Sequence, residues 1–281
     1  MHQNRLENGS RALDELNEIY NCYISVSKEE SFSRYFIHKY NSNRNRNKKY
    51  SVTNFHNNKT FLFATYDNCI ISNVIKKGNK WEPFMHTIFE KYITQDSIVL
   101  EGGCHIGTHT LKIASLCKHV HAFEPLPSSN KLLKYNLIIN NINNVTVYSE
   151  GLSDNVGQTE YEWIAKHNPG CAGLKNNPMG KINNCHINNV IKVNLTTIDN
   201  LEVEKLDFIK LDVEGYESLV INGALNTIKK YKPIITLECW SSHKGTCCIE
   251  YTKNLFNNLL NLGYEIVQIN KGPDFLFLPI K

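Results

Sequence analysis

Four acidic residues, each placed directly after a short apolar run, are the side chains in this sequence best suited to chemistry. Glu101 follows I-V-L, Glu124 follows H-V-H-A-F, Asp212 follows F-I-K-L and Glu238 follows I-I-T-L. If these runs are neighbouring parallel strands, their carboxyl ends meet at one edge of a sheet, where open α/β sheets bind ligands. Carboxylates there can accept hydrogen bonds from hydroxyl groups, bind a cationic group or take up a proton.

A glycine-rich turn, E-G-G-C-H-I-G at residues 101–107, joins the first apolar run to a predicted helix. Glycines let the backbone approach a ligand closely, and a helix start offers unpaired N–H groups and a positive dipole end. The turn therefore suits a nucleotide-like ligand. Glu101 would repel a pyrophosphate but attract the ammonium group of S-adenosylmethionine, so the sequence favours that cofactor over NAD. Glu124 is predicted to accept hydrogen bonds from both ribose hydroxyls.

Methyl transfer from S-adenosylmethionine requires the acceptor atom, the methyl group and the sulfonium sulfur to lie in line. A hydroxyl acceptor must also lose its proton. We expect Asp212 to position the acceptor or act as the base, with Glu238 assisting it. His243, in C-W-S-S-H-K-G, is an alternative base. Glu214 and Glu217 are equally well explained as acids that stabilise a helix start. A divalent metal held by Asp212 and Glu238 is an alternative that the sequence does not favour, so no metal site is predicted.

These side chains need a parallel sheet to bring them together, and the chain alternates between strands and helices as such a sheet requires. The predicted strands are 97–100, 119–123, 145–148, 207–211 and 234–237, followed by a hairpin of 264–269 and 275–280. The predicted helices are 83–92, 110–117, 128–140 with Ser128 as N-cap, a single helix carrying Leu219 to Ile228, and 251–262 ended by Gly263. Before them, T-F-L-F-A-T-Y and C-I-I-S-N-V-I, on either side of Asp67 and Asn68, predict a β-hairpin.

Two segments depart from this alternation. Residues 1–50 combine two helical patterns with a basic, Asn-rich linker at 39–50, and are predicted to form a helical N-terminal extension. Residues 51–281 then form the main domain. Within it, residues 154–193 are a long stretch rich in Asn, Gly and Pro, which we interpret as a loop insertion that selects the substrate.

Composition narrows the class of protein. The 281 residues carry a net charge of only +4, so charge alone does not indicate a nucleic-acid partner. No stretch reaches the roughly 20 apolar residues of a membrane span, and the polar start lacks the apolar core of a secretory signal. The nine cysteines include no C-x-x-C pair and are interpreted as reduced thiols, which predicts a cytoplasmic protein. The apolar faces of the N-terminal helices need a partner in this chain or in another copy, so a homo-oligomer stays open.

Four stretches make the sequence similar to the FkbM-type family of S-adenosylmethionine-dependent methyltransferases. They are E-G-G-C-H-I-G-T-H-T at 101–110, A-F-E-P-L-P and the following residues to Asn140 at 122–140, T-T-I-D-N-L at 196–201, and D-F-I-K-L-D-V-E-G-Y-E-S-L-V-I-N-G-A at 207–224. These resemble the family's D-V-G-A-N-I-G-x-x-T, A-F-E-P-x-P, T-L-D-x-L and K-x-D-V-E-G-x-E blocks. The resemblance covers about residues 60–240. It implies a Rossmann-like class I methyltransferase fold, with a mostly parallel seven-stranded sheet and helices on both faces.

The predicted cofactor pocket combines residues of the turn and of these stretches with Ser153 and Asp154. Its residues are Glu101, Gly103, His105, Gly107, Thr110, Glu124, Pro125, Ser153, Asp154 and Asp212. His105 stands where the family usually has Asn, and we expect it to line the pocket without taking part in the chemistry.

The predicted function is O-methylation of a hydroxyl group on a sugar, glycan or small-molecule acceptor, and the hydroxyl preference comes from the resemblance alone. A nucleic-acid methyltransferase that uses the basic linker is an alternative, although the sequence lacks the [DN]-P-P-[YF] motif of enzymes that methylate exocyclic amino groups. A non-catalytic module on the same fold is a third reading, and the retained acids at 101, 124 and 212 argue against it.

Overall fold

The computed structural model describes residues 50–57, 59–66, 69–163, 173–174, 189–239, 246–269 and 273–280. The predictions for the N-terminal helices, for the basic linker up to residue 49 and for His243 concern residues outside these ranges. Among the helices of the described ranges, none has the length and apolar character needed to cross a membrane.

The strands and helices follow one another along the chain as the alternating pattern requires. The strands are β1 (Tyr50–Asn57), β2 (Lys59–Tyr66), β3 (Ile98–Gly102), β4 (His119–Phe123), β5 (Val145–Tyr148), β6 (Gly151–Leu152), β7 (Gly157–Trp163), β8 (Gly173–Leu174), β9 (Asn189–Thr196), β10 (Phe208–Leu211), β11 (Ile234–Glu238), β12 (Tyr264–Ile269) and β13 (Asp274–Pro279). The α-helices are α1 (Ile70–Lys76), α2 (Pro83–Tyr92), α3 (Thr108–Ala114), α4 (Pro127–Ile139), α5 (Glu217–Asn222), α6 (Leu225–Tyr231) and α7 (Thr246–Asn261).

A seven-stranded sheet with the spatial order β12-β13-β11-β10-β3-β4-β5 forms the centre of the described chain. Strands β11, β10, β3, β4 and β5 pair in parallel. Strand β13 pairs antiparallel with both β11 and β12, as expected for the predicted C-terminal hairpin. The sheet is therefore mixed, with β13 as its reversed strand and the others running in one direction.

The sheet is covered on both faces, which explains why its strands are continuous apolar runs. Successive residues of β3 belong to different hydrophobic clusters, with Val99 in one and Leu100 in the other. The first cluster includes residues of α2, α3 and α4, and the second includes residues of α5, α6 and α7. This two-sided burial leaves the carboxyl edge of the parallel strands as the place where polar side chains can gather.

The hairpin near residue 60 is formed differently from the prediction. Strand β2 pairs with β1, and C-I-I-S-N-V-I is not a strand, because Ile70–Lys76 form helix α1. Ser72 and Ile75, three residues apart, are buried on one face of that helix, and Ser72 Oγ accepts the N–H of Tyr66. Short apolar runs fit both a strand and a buried helix, so tertiary contacts decided this segment.

The single helix predicted over Leu219 to Ile228 is two helices, α5 and α6. The break falls at Gly223, where an added Cβ would lie 2.1 Å from the carbonyl oxygen of Ser153. Asp199, in the T-T-I-D-N-L motif, accepts the backbone N–H groups of Asn226 and Thr227 and so caps the second helix. The predicted cap of α4 was also wrong, because the helix begins at Pro127 and Leu126 is its N-cap.

A second, smaller sheet has the order β6-β9-β7-β8. Strands β7 and β9 pair antiparallel from Gly157 opposite Leu195 to Trp163 opposite Asn189. The two ends of the predicted insertion at 154–193 therefore lie side by side. Residues 164–172 and 175–188, most of the stretch interpreted as substrate-selecting, lie outside the described residues.

Candidate active site

The turn from β3 to α3 is shaped by glycines that make room for other parts of the protein. Gly103 has a φ of 78°, and a Cβ there would lie 1.7 Å from the carbonyl oxygen of Asp212. Gly107 has a φ of 90°, and a Cβ there would lie 2.6 Å from Leu133 Cδ1. Both positions need glycine for their backbone conformation and for this close packing. The turn is thereby held directly against the end of β10.

Glu124, the predicted ribose-binding acid, is fixed at the end of β4 by two backbone groups. Its Oε2 accepts the N–H of His105 at 2.7 Å, and its Oε1 accepts the N–H of Leu126 at 2.9 Å. The residue is only 5% exposed, and burial raises the pKa of its carboxyl to about 7. Each carboxylate oxygen has a second lone pair, so the group can still accept hydrogen bonds from a ligand. Pro125, between Glu124 and Leu126, is half-buried.

Three buried side chains around the turn hold polar atoms without a hydrogen-bond partner among the described residues. Both ring nitrogens of His105 are such atoms, and so by geometry are Glu101 Oε2 and Thr110 Oγ1. Burial raises the pKa of the Glu101 carboxyl, and the Thr110 hydroxyl lies close enough to it to oppose that rise. Burial lowers the pKa of His105 to about 4, so its ring is neutral near pH 7 and offers one donor and one acceptor. Buried polar groups are nearly always paired in folded proteins. A set of unpaired groups beside one turn therefore fits a site whose ligand supplies the missing partners.

Cys104 and Tyr66 complete the surroundings of the turn. Cys104 Sγ donates to the carbonyl oxygen of Glu101 at 3.3 Å, and burial raises the pKa of its thiol well above the ordinary value, so it is not a thiolate. Tyr66, at the end of β2, stacks on the His105 ring with centroids 5.7 Å apart. The N-terminal hairpin therefore contributes directly to the site.

Lys210 is a site residue that the sequence analysis missed. It lies opposite Glu101 on β3 and Thr236 on β11 in the sheet register. Its Nζ donates to Asp212 Oδ2 at 3.2 Å and lies 3.9 Å from Glu101 Oε1. Burial lowers the pKa of Lys210, but Asp212 and Glu101 raise it by more, so the ammonium group stays charged. A lysine inside the otherwise apolar run F-I-K-L was the signal for it.

A small open pocket lies at the ends of β10 and β11. It brings together the predicted pair Asp212 and Glu238 and adds two acids that the sequence analysis missed, Glu82 and Asp274. Burial, and then the charge of Asp212, raises the pKa of Glu238 far above its ordinary value. The same two causes raise the pKa of Glu82 to about 7 and that of Asp274 to about 6.

The two missed acids reach the pocket by different routes. Asp274 is the first residue of strand β13 and pairs with Glu238. Because β13 runs antiparallel to β11, Asp274 lies at the edge of the sheet where the parallel strands end. The predicted C-terminal hairpin could have indicated this position. Glu82 precedes α2 and has a φ of 42°. Its Oε2 lies 3.6 Å from His109 Nε2. No pattern in the sequence marks it.

The other predicted site residues have contacts of a different kind. Glu217 Oε1 accepts the N–H groups of Val213 and Gly215, so this buried acid stabilises the turn after β10. Ser153 donates its N–H to the carbonyl oxygen of Thr196, its Oγ donates to Asp154 Oδ1, and its carbonyl packs on Gly223. In the described ranges, no three His, Cys, Asp or Glu side chains are grouped closely enough to hold a metal ion.

Comparison with known proteins bears out the resemblance found in the motifs. The family described as "Methyltransferase FkbM domain" matches residues 101–266, more than half of the chain. No curated protein matches the sequence.

Several solved structures are similar at low identity. Methyltransferase FkbM from Methylobacillus flagellatus KT has 16% identity and a TM-score of 0.46, over 68% of this chain and 50% of that chain. The present chain thus spans half the length of that protein. SMU.1697c from Streptococcus mutans, solved in complex with SAH, has 12% identity and a TM-score of 0.43, over 69% of this chain and 94% of that chain. An rRNA methylase from Streptococcus thermophilus has 13% identity and a TM-score of 0.42, over 69% and 92%.

Proposed function

The chain belongs to the family of FkbM methyltransferase domains, and we propose that it transfers a methyl group from S-adenosylmethionine to a hydroxyl oxygen of a sugar, glycan or small molecule. One observation carries the proposal. The turn at 101–107 and the helix start after it hold buried polar atoms without a partner among the described residues, and Gly103 of the turn packs directly against Asp212, which lines a pocket.

The cofactor side of the site is assigned to residues of β3, β4 and the turn. When bound, S-adenosylmethionine supplies a methyl group already activated by the positive sulfur. Glu124, held by two backbone N–H groups, accepts the ribose hydroxyls with its remaining lone pairs. Glu101 Oε2 accepts from the ammonium group, and the neutral ring of His105 and the Thr110 hydroxyl provide further polar contacts. These roles give partners to atoms that have none among the described residues.

The acceptor side of the site is assigned to the pocket at the ends of β10 and β11. Asp212, held by the ammonium group of Lys210, accepts the hydrogen bond of the acceptor hydroxyl and then its proton. Glu238, whose pKa is raised, keeps its proton near pH 7 and therefore positions the acceptor as a hydrogen-bond donor. The rigid turn and strand ends fix the relative position of the two halves, which is the main requirement of an in-line transfer.

A methyl-transfer screen tests this function. The full chain is incubated with S-adenosylmethionine labelled in its methyl group and with sugars, nucleotide sugars, small phenols or RNA, with and without magnesium. Label on a hydroxyl of a non-nucleic acceptor supports the proposal. Label on RNA alone would instead favour the nucleic-acid alternative. Absence of cofactor binding at every pH from about 5 to 8, measured by calorimetry, would contradict both.

A further inference from the structure

The pocket beside Asp212 has more negative than positive side chains. Four carboxyl groups line it, from Glu82, Asp212, Glu238 and Asp274. Lys210 is the one basic side chain among the described lining residues, and its Nζ is already shared between Asp212 and Glu101. These carboxyl groups are half-buried, and the excess of acids over the single ammonium group favours a positively charged ligand in this place.

A second feature, independent of the acids, also indicates a ligand. Thr236 lines the same pocket and is only 1% exposed. Its Oγ1 has no hydrogen-bond partner among the described residues. A buried hydroxyl without a partner is rare in folded proteins and is expected where a bound molecule completes the hydrogen bond.

From these two features we propose that the pocket binds a protonated amino group, so that the methyl acceptor is an amino alcohol of the amino-sugar class. A primary ammonium group has three hydrogen-bond donors and no acceptor. The carboxylates of Asp274 and Glu82 and the hydroxyl of Thr236 line this pocket and can accept these hydrogen bonds. The inference rests on the proposed function, because it names the acceptor class of that site.

Other occupants fit the pocket less well. A neutral polyol would satisfy Thr236 but would leave the negative charges without compensation. A divalent metal ion would need several grouped ligands, and the described residues contain no such group. An anionic acceptor, such as a phosphorylated sugar, would be repelled by the charged carboxylates of the pocket.

Calorimetric titration of the full chain near pH 7, without cofactor, tests the inference with three matched sugars. We expect glucosamine to bind at least about tenfold more tightly than glucose or N-acetylglucosamine, which lack the charged amino group. Asp274→Asn and Thr236→Val should each weaken glucosamine binding by about tenfold, as expected for one lost hydrogen bond to a charged group. Glu265→Gln, which removes a charge from the exposed far end of the same hairpin, should leave it unchanged.

Equal binding of the three sugars, no binding of glucosamine, or glucosamine binding that survives both pocket substitutions would overturn the inference. Circular dichroism and thermal melting show whether each variant is folded, and the two variants lie on different strands so that one misfolded variant does not decide the result. Because cofactor is absent from the titration, a failure of methyl transfer would count against the proposed function and not against amine binding.

Discussion

The backbone N–H of His105 donates to Glu124 Oε2 at 2.7 Å and so joins the glycine turn to the end of the neighbouring strand. This bond fixes the acid through the main chain, so it does not depend on which side chain occupies position 105. The side chain of His105 takes no part in this bond, and its ring stacks on Tyr66 beside the proposed cofactor site. The relationship separates two roles of one residue and allows each to be tested.

Replacing Glu124 should remove cofactor binding. Glu124→Ala deletes the acceptor for two backbone N–H groups and for the ribose hydroxyls, and we expect the Kd for S-adenosylmethionine to rise by more than about tenfold. Glu265→Ala, an exposed acid on β12, serves as the matched control. Calorimetry on both variants measures the effect. Equal affinities of Glu124→Ala and the parent chain would refute the ribose role.

Replacing the His105 ring should have a small effect if it only lines the pocket. His105→Asn keeps the backbone bond to Glu124, and Asn tolerates the left-handed φ of 49° at this position well. We expect turnover to stay within about tenfold of the parent, about 1.4 kcal/mol in the barrier. Steady-state kinetics provide the measurement. A thousandfold loss would mean that the imidazole takes part in the chemistry.

Alanine substitution of two glycines with similar φ angles, Gly78 and Gly103, separates the cost of close packing from the cost of backbone strain. A Cβ at Gly103 would overlap the Asp212 carbonyl at 1.7 Å, whereas a Cβ at Gly78, with a φ of 76°, meets nothing within 4 Å. Gly78→Ala should cost about 1 kcal/mol of the free energy of unfolding, from the left-handed backbone alone. Gly103→Ala should cost more than about 4 kcal/mol. Urea unfolding compares them, and similar costs would show that the turn is not packed as described.

Two asparagines on α4 attach the N-terminal hairpin, and only one of them also contacts the turn. Asn136 accepts the N–H of Ala64 and donates to the carbonyl oxygens of Ala64 and Ile106. Asn140 makes the same pair of bonds to Leu62.

Because Asn136 is fully buried, Asn136→Ala should lower the free energy of unfolding by about 2 to 3 kcal/mol. Asn140→Ala should lower it by about 1 kcal/mol, because that side chain is half-buried. Only Asn136→Ala should weaken cofactor binding, since only Asn136 holds the carbonyl of Ile106. Chemical denaturation and titration of both variants check this, and a matching loss of cofactor affinity in Asn140→Ala would contradict it.

The buried acids should make the protein less stable as the pH rises from about 4.5 toward neutrality. Burial raises the pKa of Glu82, Glu124 and Glu217 from 4.5 to about 7, so each binds its proton more tightly in the folded chain. Stability is therefore lost as the pH rises through the interval between those values. Burial lowers the pKa of His86 and His105 from 6.5 to about 4, which acts in the opposite sense but only below about pH 6.5.

We thus expect the Tm to fall between about pH 5 and 7, most steeply above about pH 6 where the histidines oppose it less, and thermal melting across this range measures it. Glu217→Gln should reduce the fall, because its amide oxygen can still accept the N–H of Val213 but carries no charge. Glu265→Gln, on the exposed surface, should leave the fall as it is in the parent. A Tm that stays constant or rises between about pH 5 and 7 would contradict the assigned burial of these acids.

Several elements could be read from the sequence because the signal was local. Strands β4 and β5, helix α2 and the C-terminal hairpin were predicted within a residue of their observed bounds. The run C-I-I-S-N-V-I was misread because its apolar spacing suits a strand and a helix alike, and the burial of Ser72 and Ile75 decided between them. The helix break at Gly223 was missed because the groups that pack and cap there, the carbonyl of Ser153 and the side chain of Asp199, are distant in the chain.

The sequence by itself determined the family, the alternation of strands and helices, and the placing of Glu101, Glu124, Asp212 and Glu238 at strand ends, because residue type and spacing along one chain carry that information. Only the tertiary structure decided which further groups meet these acids. Lys210 lies beside Glu101 on the neighbouring strand, and Asp274 lies at the start of the reversed strand β13. Glu82, which precedes α2, lines the same pocket. Their contacts join distant parts of the chain, and the charge of the pocket is the sum of groups that no local pattern relates.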